Sequence, residues 1–430
     1  MKKIWREKQI YYGLAILAVV FVVVGLTQAL KGEKKSAEVM KEEKIVREEV
    51  PDQLIRVLIM TTGYKGTVHS DVTVSGPSGL IVTYGEEEEK IAGNTPLHIA
   101  PDDARFQTGN IRICPKEGEI LLESIQRGCG TPSYEGALEL WATAEGIVII
   151  NELPVESYLC KVVPSEMPSS YEPEALKAQA VCARSYAYRQ MESCAYPEYG
   201  AHVNDSTDYQ VYGNSASSES AITAVQETAG EVVRLDGQIV TTYYYSTSCG
   251  KTTSVAAWGT EETEENRYLQ SVEVKNEEGD FERNLPWYRW EAAVPVQTLS
   301  NLVGLNTGTD IGIVKDIQIT ETGPGGVAVK MTVTGDKGNV TVETENKIRR
   351  ALGGKGYKIC RQDGTQTDSA ELLPSAFFTA AKEGENFVFR GGGYGHGIGM
   401  SQNGANEMAK CGKNYKEILT LFYQGVTIER

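Results

Sequence analysis

The sequence predicts an α+β protein: one large mixed extracytoplasmic domain of several antiparallel strands and packed helices, preceded by a single N-terminal transmembrane helix. Three observations carry this. No charged residue lies between Lys8 and Lys31, and residues 10–30 are long enough to cross a hydrocarbon core of about 30 Å as a helix. Residues 53–150 are a succession of short apolar or alternating runs broken by Gly, Pro, Asp and Asn clusters, as strands joined by turns would be. Residues 173–191, PEALKAQAVCARSYAYRQM, instead repeat small apolar residues at helical spacing.

In chain order, Lys2, Lys3, Arg6 and Lys8 keep residues 1–9 in the cytoplasm and send the rest outward, although Lys31, Lys34 and Lys35 reduce the asymmetry. The expected location is therefore the cell membrane, crossed once. A cleaved leader ending near Thr27-Gln28-Ala29 is the rival, and the length of the apolar run favours the uncleaved anchor. Residues 31–52 are rich in Lys and Glu and cannot build a core, so they form a spacer. The domain proper covers 53–430, with a strand-rich part at 53–150, a motif-bearing part at 151–295 and a last part of strands, glycine-rich loop and helices at 296–430.

The strands of the first part are read at LIRVLIMTT, SDVTVSG, GLIVTY, IRICP, EILLES, LELWATAEG and IVIINELP. The helix from Pro173 has proline in its first turn, Glu172 and Glu174 near its positive end, and a face of Leu176, Ala180, Ala183 and Ala187 suited to close packing, here expected against the segment holding Glu166. Asp236-Gly237 marks a hairpin between EVVRLDG and QIVTTYYYSTS. A short helix at VQTLSNLVG and strands at IVKDIQIT, VAVKMTVTG and NFVFRGG follow. Two capped helices close the chain, one beginning near Ser401 and ending by Gly412, the other beginning after Asn414. No repeat of 20 to 50 residues is visible, which argues against a solenoid or propeller.

With 42 Lys+Arg against 58 Asp+Glu, the formal charge of −16 argues against nucleic acid or an acidic polyanion as partner. A neutral, hydroxyl-rich polymer is compatible, and 22 tyrosines offer ring faces and hydroxyls for one. The eight cysteines contain no CxxC pair; Cys114 and Cys129 flank a hairpin-like stretch and are the expected disulfide, while the other six read equally as buried thiols.

Four segments can carry chemistry. Glu166 sits in Pro-Ser-Glu-Met-Pro, where two prolines restrict the backbone and Met167 is an apolar neighbour, so its carboxyl can be held rigidly and its pKa raised toward the range of a general acid. Its bland alternative is a cap on the following helix. Arg184 shares a helix face with Lys177 and can point into a cleft, or lie on a solvated surface. The run 390–409, RGGGYGHGIGMSQNGANEMA, packs His396 among glycines, where backbone can approach a ligand or simply turn. The patches 205–213 (Asp205, Asp208, Gln210, Tyr212) and 243–252 (Tyr245, Ser246, Ser248) are weaker. Gly-x-Ser-x-Gly, HExxH, Walker and dinucleotide patterns are absent.

Taken in order, LPVESYLCKVVPSEMP, EALKAQAVCARSYA, DSTDYQVYG, STSCGKT, GGGYGHGIGMSQNGANEMAKCG and YKEILTLFYQGV resemble the stage II sporulation protein D family, which shares its domain with amidase-enhancer proteins. The resemblance implies a lytic transglycosylase acting on peptidoglycan glycan strands already stripped of stem peptides, beside a partner amidase/endopeptidase and a membrane protein. It places Glu166 at the catalytic glutamate and Arg184 at the family's arginine. The substrate-binding candidates are then Lys177, Gln210, Tyr212, Tyr245, Ser246, Tyr394, His396, Ser401 and Gln402. No cofactor is expected. Some relatives hold zinc around the DxxxxQxY stretch, but here Val203 and Tyr209 stand where thiolates would be sought, leaving Cys182, Cys194 and His202 as the only suggestion of a ligand set. The alternative function is a non-catalytic, wall-binding activator of an amidase.

Overall fold

Leu54–Ile59 is the second strand of a seven-stranded sheet, the largest in the computed structural model, which describes residues 53–430. The expected anchor at 10–30 and spacer at 31–52 lie outside these residues. No helix among the described residues is long and apolar enough to cross a membrane. The sheet runs in the order Val203–Asn204, Leu54–Ile59, Gly146–Pro154, Ala137–Thr143, Ile111–Pro115, Leu80–Tyr84, Glu87–Ile91. All its pairs are antiparallel except that of Val57 and Leu58 with Val203 and Asn204. Six successive residues, 146–151, are buried, so this strand is covered on both faces. A five-stranded antiparallel sheet, Gln366–Asp368, Lys358–Arg361, Trp290–Pro295, Asn386–Gly391 and Phe378–Glu383, forms later in the chain. In its central strand Trp290, Ala292 and Val294 point inward and alternate with exposed residues, as a one-sided sheet requires.

Seven α-helices are described: α1 Val155–Glu166, α2 Pro173–Ser193, α3 Glu219–Glu227, α4 Val296–Thr307, α5 Glu345–Leu352, α6 Gln402–Lys410 and α7 Tyr415–Phe422. Helix α2 is central, packed by α1, α3, α6 and α7, and its small face (Leu176, Ala180, Ala183, Ala187) is wholly buried. Proline at its first position and the alanines act as the sequence predicts. Ser401 caps α6 by accepting from Gly404 N–H, and Asn414 and Glu417 form a capping box on α7. The Asp236-Gly237 hairpin is also present, with both residues at positive φ (51° and 80°) between paired Leu235 and Gln238.

One expectation is corrected. Cys114 and Cys129 are not bonded: Cys114 lies in strand register with Ile81, and the Cys129 thiol faces the Gly213 carbonyl at 3.5 Å. Cys182, Cys194 and His202 do not assemble into a metal-holding group among the described residues. Cys182 meets the Tyr423 hydroxyl at 3.3 Å, Cys194 the Ala201 carbonyl at 3.5 Å, and His202 Nδ1 accepts from Arg56 N–H at 3.0 Å.

Candidate functional site

Glu166 is the last residue of α1, with Met167 as the extended residue that ends it. It does not cap α2, whose first turn starts at Glu172 without a side-chain cap. Helix α1 places the carboxyl against the 205–213 segment: Val211 N–H donates to Glu166 Oε1 at 2.7 Å, and the Tyr244 hydroxyl donates to the same carboxyl. Burial dominates these two bonds, which favour the ionised form, and the carboxyl is pushed up to about 7. Behind it runs a relay of neutral groups. Tyr158 OH donates to Gln210 Oε1 at 3.3 Å, and Gln210 Nε2 donates to Tyr244 OH at 3.1 Å. The amide thus directs the phenol proton toward Glu166.

The glycine-rich segment reaches this carboxyl through a short parallel pairing, Tyr244 with Met400 and Tyr245 with Ser401. Gln402 then donates from Nε2 to the Glu166 backbone carbonyl at 3.1 Å, and Asn403 Nδ2 donates to the Ser246 carbonyl at 3.0 Å. Four of the segments singled out in the sequence, around 166, 210, 244 and 402, therefore converge. Half-buried rings line the same region: Tyr186 stands edge-on to Tyr243, Tyr243 edge-on to Trp258 with centroids 4.8 Å apart, and Trp258 lies 5.3 Å from His396. A strip of aromatic faces beside a protonatable carboxyl suits a sugar ring and its linking oxygen.

Other expected residues have structural duties. Arg184 is completely buried. Its Nε and Nη2 grip both oxygens of Glu156 at 2.6 and 2.7 Å, and the remaining donors meet Thr228 Oγ1 and the Val225 and Glu231 carbonyls. All five guanidinium N–H groups are engaged, so it acts through the framework rather than on a ligand. Lys177 is held by Glu174 and Glu227 at 2.9 and 2.7 Å. Tyr212 is buried and donates to Asn151 at 2.7 Å, while Tyr245 is buried with its hydroxyl unbonded among the described residues. Ser246 contributes mainly its carbonyl, which accepts from Asn403. Asp205 is locked to buried Arg127 at 2.6 Å. Tyr394 is exposed and stacks on Trp287.

His396 accepts from Ile398 N–H at Nδ1 (3.1 Å) and faces the Tyr244 carbonyl with Nε2 (2.9 Å), which defines the Nε2–H neutral tautomer. Burial, with a smaller contribution from Arg349, pushes it down to about 4. The glycines around it make room for the protein's own side chains: at Gly395, with φ 121°, a Cβ would stand 2.7 Å from Tyr245 Cβ. Because the unfolded ring titrates near 6.5, the stabilisation due to neutral His396 is complete above that pH and is lost as pH falls toward about 4. Replacing it by Gln should flatten this part of the profile; unfolding midpoints of both proteins between pH 7 and 4 check this, and parallel curves would reject it.

Two residues at the site escaped the sequence reading. Tyr244 is the first. Tyr244→Phe removes a bond to the ionised carboxyl, so Glu166 should titrate about one unit higher, the scale expected for a hydrogen bond to a charged group. Carboxyl-selective 13C NMR, assigned with Glu166→Gln, measures the shift; an unmoved titration would place the phenol elsewhere. The second is Glu282, completely buried and pushed up to about 7 by burial. It accepts from Ser248 N–H at 2.9 Å, from the Ser248 hydroxyl and from Ser401 Oγ at 2.8 Å, and so ties the 246–250 turn to the start of α6.

Residues 143–234, which hold Glu166 and Gln210, match the family described as Stage II sporulation protein, and residues 241–399, which hold Tyr244, Glu282 and His396, match a domain of unknown function. The chain is 30% identical over 335 residues to stage II sporulation protein D of Bacillus subtilis, covering 73% of this chain and 88% of that protein. It is 31% identical over 299 residues to an uncharacterized protein of Brachyspira hyodysenteriae, covering 69% and 72%. It is also 28% identical over 295 residues to the amidase enhancer of Bacillus subtilis, covering 62% of this chain and 39% of that protein. An alignment of this identity that spans most of both chains places this chain in the stage II sporulation protein D family.

Proposed function

We propose that the chain is a lytic transglycosylase that cleaves peptidoglycan MurNAc-GlcNAc strands freed of stem peptides, during engulfment in sporulation. The observation that supports this best is the Glu166 carboxyl, held by Val211 N–H and the Tyr244 phenol and brought by burial to about 7. Near neutral pH such a group is present in both protonation states, the condition for giving a proton and then taking one. As acid it protonates the glycosidic oxygen leaving C1. As that C1–O bond breaks, the C6 hydroxyl closes on C1 and the Glu166 carboxylate takes its proton, leaving a 1,6-anhydro ring without consuming water. Ordinary glycosidases instead need a second carboxylate as nucleophile or base. Asp205 and Glu282, buried carboxyls of the neighbouring segments, are both closed off by internal donors.

The sporulation setting is drawn from the name of the Bacillus subtilis relative. The proposal includes the membrane anchor over residues 10–30, an extracytoplasmic large domain, and an amidase/endopeptidase and a membrane protein as partners. The match to an amidase enhancer favours one second reading, a wall-binding activator that does not cut. Incubating the full chain with stripped and intact strands, with products read by mass spectrometry, separates the two. Fragments ending in 1,6-anhydro-N-acetylmuramic acid are expected; hydrated reducing ends would make the protein a hydrolase, and stimulation of an amidase without any fragments would make it an activator.

A further inference from the structure

A cavity of 640 Å³ opens beside the five-stranded sheet, and its lining carries Lys251, Arg289, Arg361 and Arg390 against Glu291 alone, a local charge of +3 (four cations less one carboxylate). In a chain of net charge −16 such a concentration is unusual. Arg390 is neutralised by Glu291 and Glu383, each at 2.7 Å. Among the described residues no carboxylate lies within ion-pair distance of Lys251, Arg289 or Arg361, and Asp363 acts on Arg361 only from farther away.

Two of these three cations are fixed in place. Arg289 Nη1 donates to the Cys249 and Tyr288 carbonyls at 3.1 and 2.7 Å, and its guanidinium lies 3.9 Å from the Tyr288 ring centroid. Gly392 makes this possible, since a Cβ there would stand 2.9 Å from Arg289 Nη1. Arg361 lies over the Trp287 ring at 5.3 Å, and its Nε is shielded from solvent without an acceptor. Trp287 stacks in turn on Tyr394 with centroids 4.6 Å apart, and Tyr394 is 40% exposed. The surface therefore combines unpaired planar cations, one orphaned donor and an open aromatic platform. Guanidinium groups favour a carboxylate that they can meet with two parallel bonds, and ring faces favour the apolar face of a sugar. A polyanion would be repelled by the rest of the molecule, whereas an isolated carboxylate on a neutral frame feels mainly the local field, because charges beyond about 8 Å are screened at physiological salt.

We infer that this cavity binds an acidic saccharide, whose carboxylate lies among Lys251, Arg289 and Arg361 and whose ring rests on Tyr394 and Trp287. The site adjoins the Glu166 region through the pairing of Thr247 with Tyr394, yet shares none of the groups that hold the Glu166 carboxyl. Only the choice of probe rests on the glycan reading: N-acetylmuramic acid carries one free lactyl carboxylate.

The test is calorimetric titration of the full chain with N-acetylmuramic acid, its methyl ester, N-acetylglucosamine, acetate and inorganic phosphate. The acid sugar should bind at least tenfold tighter than each of the other four. Arg289→Gln and Arg361→Gln should each reduce its affinity at least tenfold, and Glu166→Gln should leave it unchanged. Lys251→Gln, on an exposed side chain, guards against misfolding of the arginine variants and should also weaken binding. Equal binding of the ester would show that the carboxylate is not read, equal binding of acetate or phosphate would reduce the cavity to an anion hole, and absence of binding would remove the site; each overturns the inference. Binding by an unmutated chain that releases no fragments from glycan would instead reject the transglycosylase reading and leave this one intact.

Discussion

Glu166→Gln should lower glycan cleavage by at least about a thousandfold, equivalent to ~4 kcal/mol of transition-state stabilisation, because one group performs both proton transfers and an amide performs neither. The substitution keeps the shape of the site. The glutamine oxygen still accepts from Val211 N–H, so loss of activity should come without loss of fold or of glycan binding. Stability provides a second readout with a defined sign. The folded carboxyl titrates near 7 and the unfolded one near 4.5, so native Glu166 destabilises the fold progressively as pH rises through that interval. The variant should therefore be more stable than the parent above pH 7 and similar to it below about 4.5. The kinetic profile follows from the same carboxyl. As the proton donor in the free enzyme, Glu166 should give kcat/KM a single descending limb near pH 7, whereas an enzyme needing a second, ionised carboxylate would show a bell. Retained turnover in Glu166→Gln would reject the assignment, and a bell-shaped profile would reject the single-carboxyl mechanism.

How far the sequence revealed this site depended on whether a residue's direction follows from its neighbours. Capped helices and the alanine face of α2 were legible because their signals are local: Pro173, Ser401, Asn414 and the spacing of Ala180, Ala183 and Ala187. Helix α1, in which Pro164 interrupts the pattern, was not expected, although its buried positions Val155, Tyr158, Leu159, Val162 and Val163 follow a helical period. In Tyr243-Tyr244-Tyr245 a chain extended at this point turns successive side chains to opposite sides, so choosing Tyr245 instead of Tyr244 selects the inward ring and misses the one that touches Glu166. Gln210 and Tyr212 look equivalent in the sequence, yet Gln210 orients Tyr244 while Tyr212 supports Asn151. Glu282 left no local signal. It lies in a charged stretch, Asp-Phe-Glu-Arg-Asn, and becomes a buried carboxyl only because Ser248 and Ser401 are brought to it from 34 and 119 residues away. Long-range closure of this kind is not encoded in any window a periodicity can see.

Arg184→Ala should unfold the protein more readily, by about 3–5 kcal/mol, while leaving the chemistry of the remaining folded molecules within a few-fold of the parent. The magnitude is that of a buried ion pair broken from one side. Five donors disappear together, and Thr228 and the Val225 and Glu231 carbonyls lose partners in a region that α2, α3 and α1 close from water. Glu156, 29% exposed, recovers some hydration, which keeps the loss below that of a fully sealed carboxylate. Arg184→Lys should recover only part of the stability, since one ammonium replaces the charge but not the fork that meets both Glu156 oxygens. Urea unfolding of the full chain reads the effect as a lowered midpoint at constant slope. Turnover must then be compared at a urea-free temperature where both proteins are folded. If the midpoint falls while turnover of the folded variant stays within a few-fold of the parent, Arg184 serves the framework that carries Glu166. If turnover collapses by a thousandfold while the midpoint stays within about 0.5 kcal/mol of the parent, the guanidinium reaches the reacting sugar in a conformation different from this one, and the positioning role is wrong.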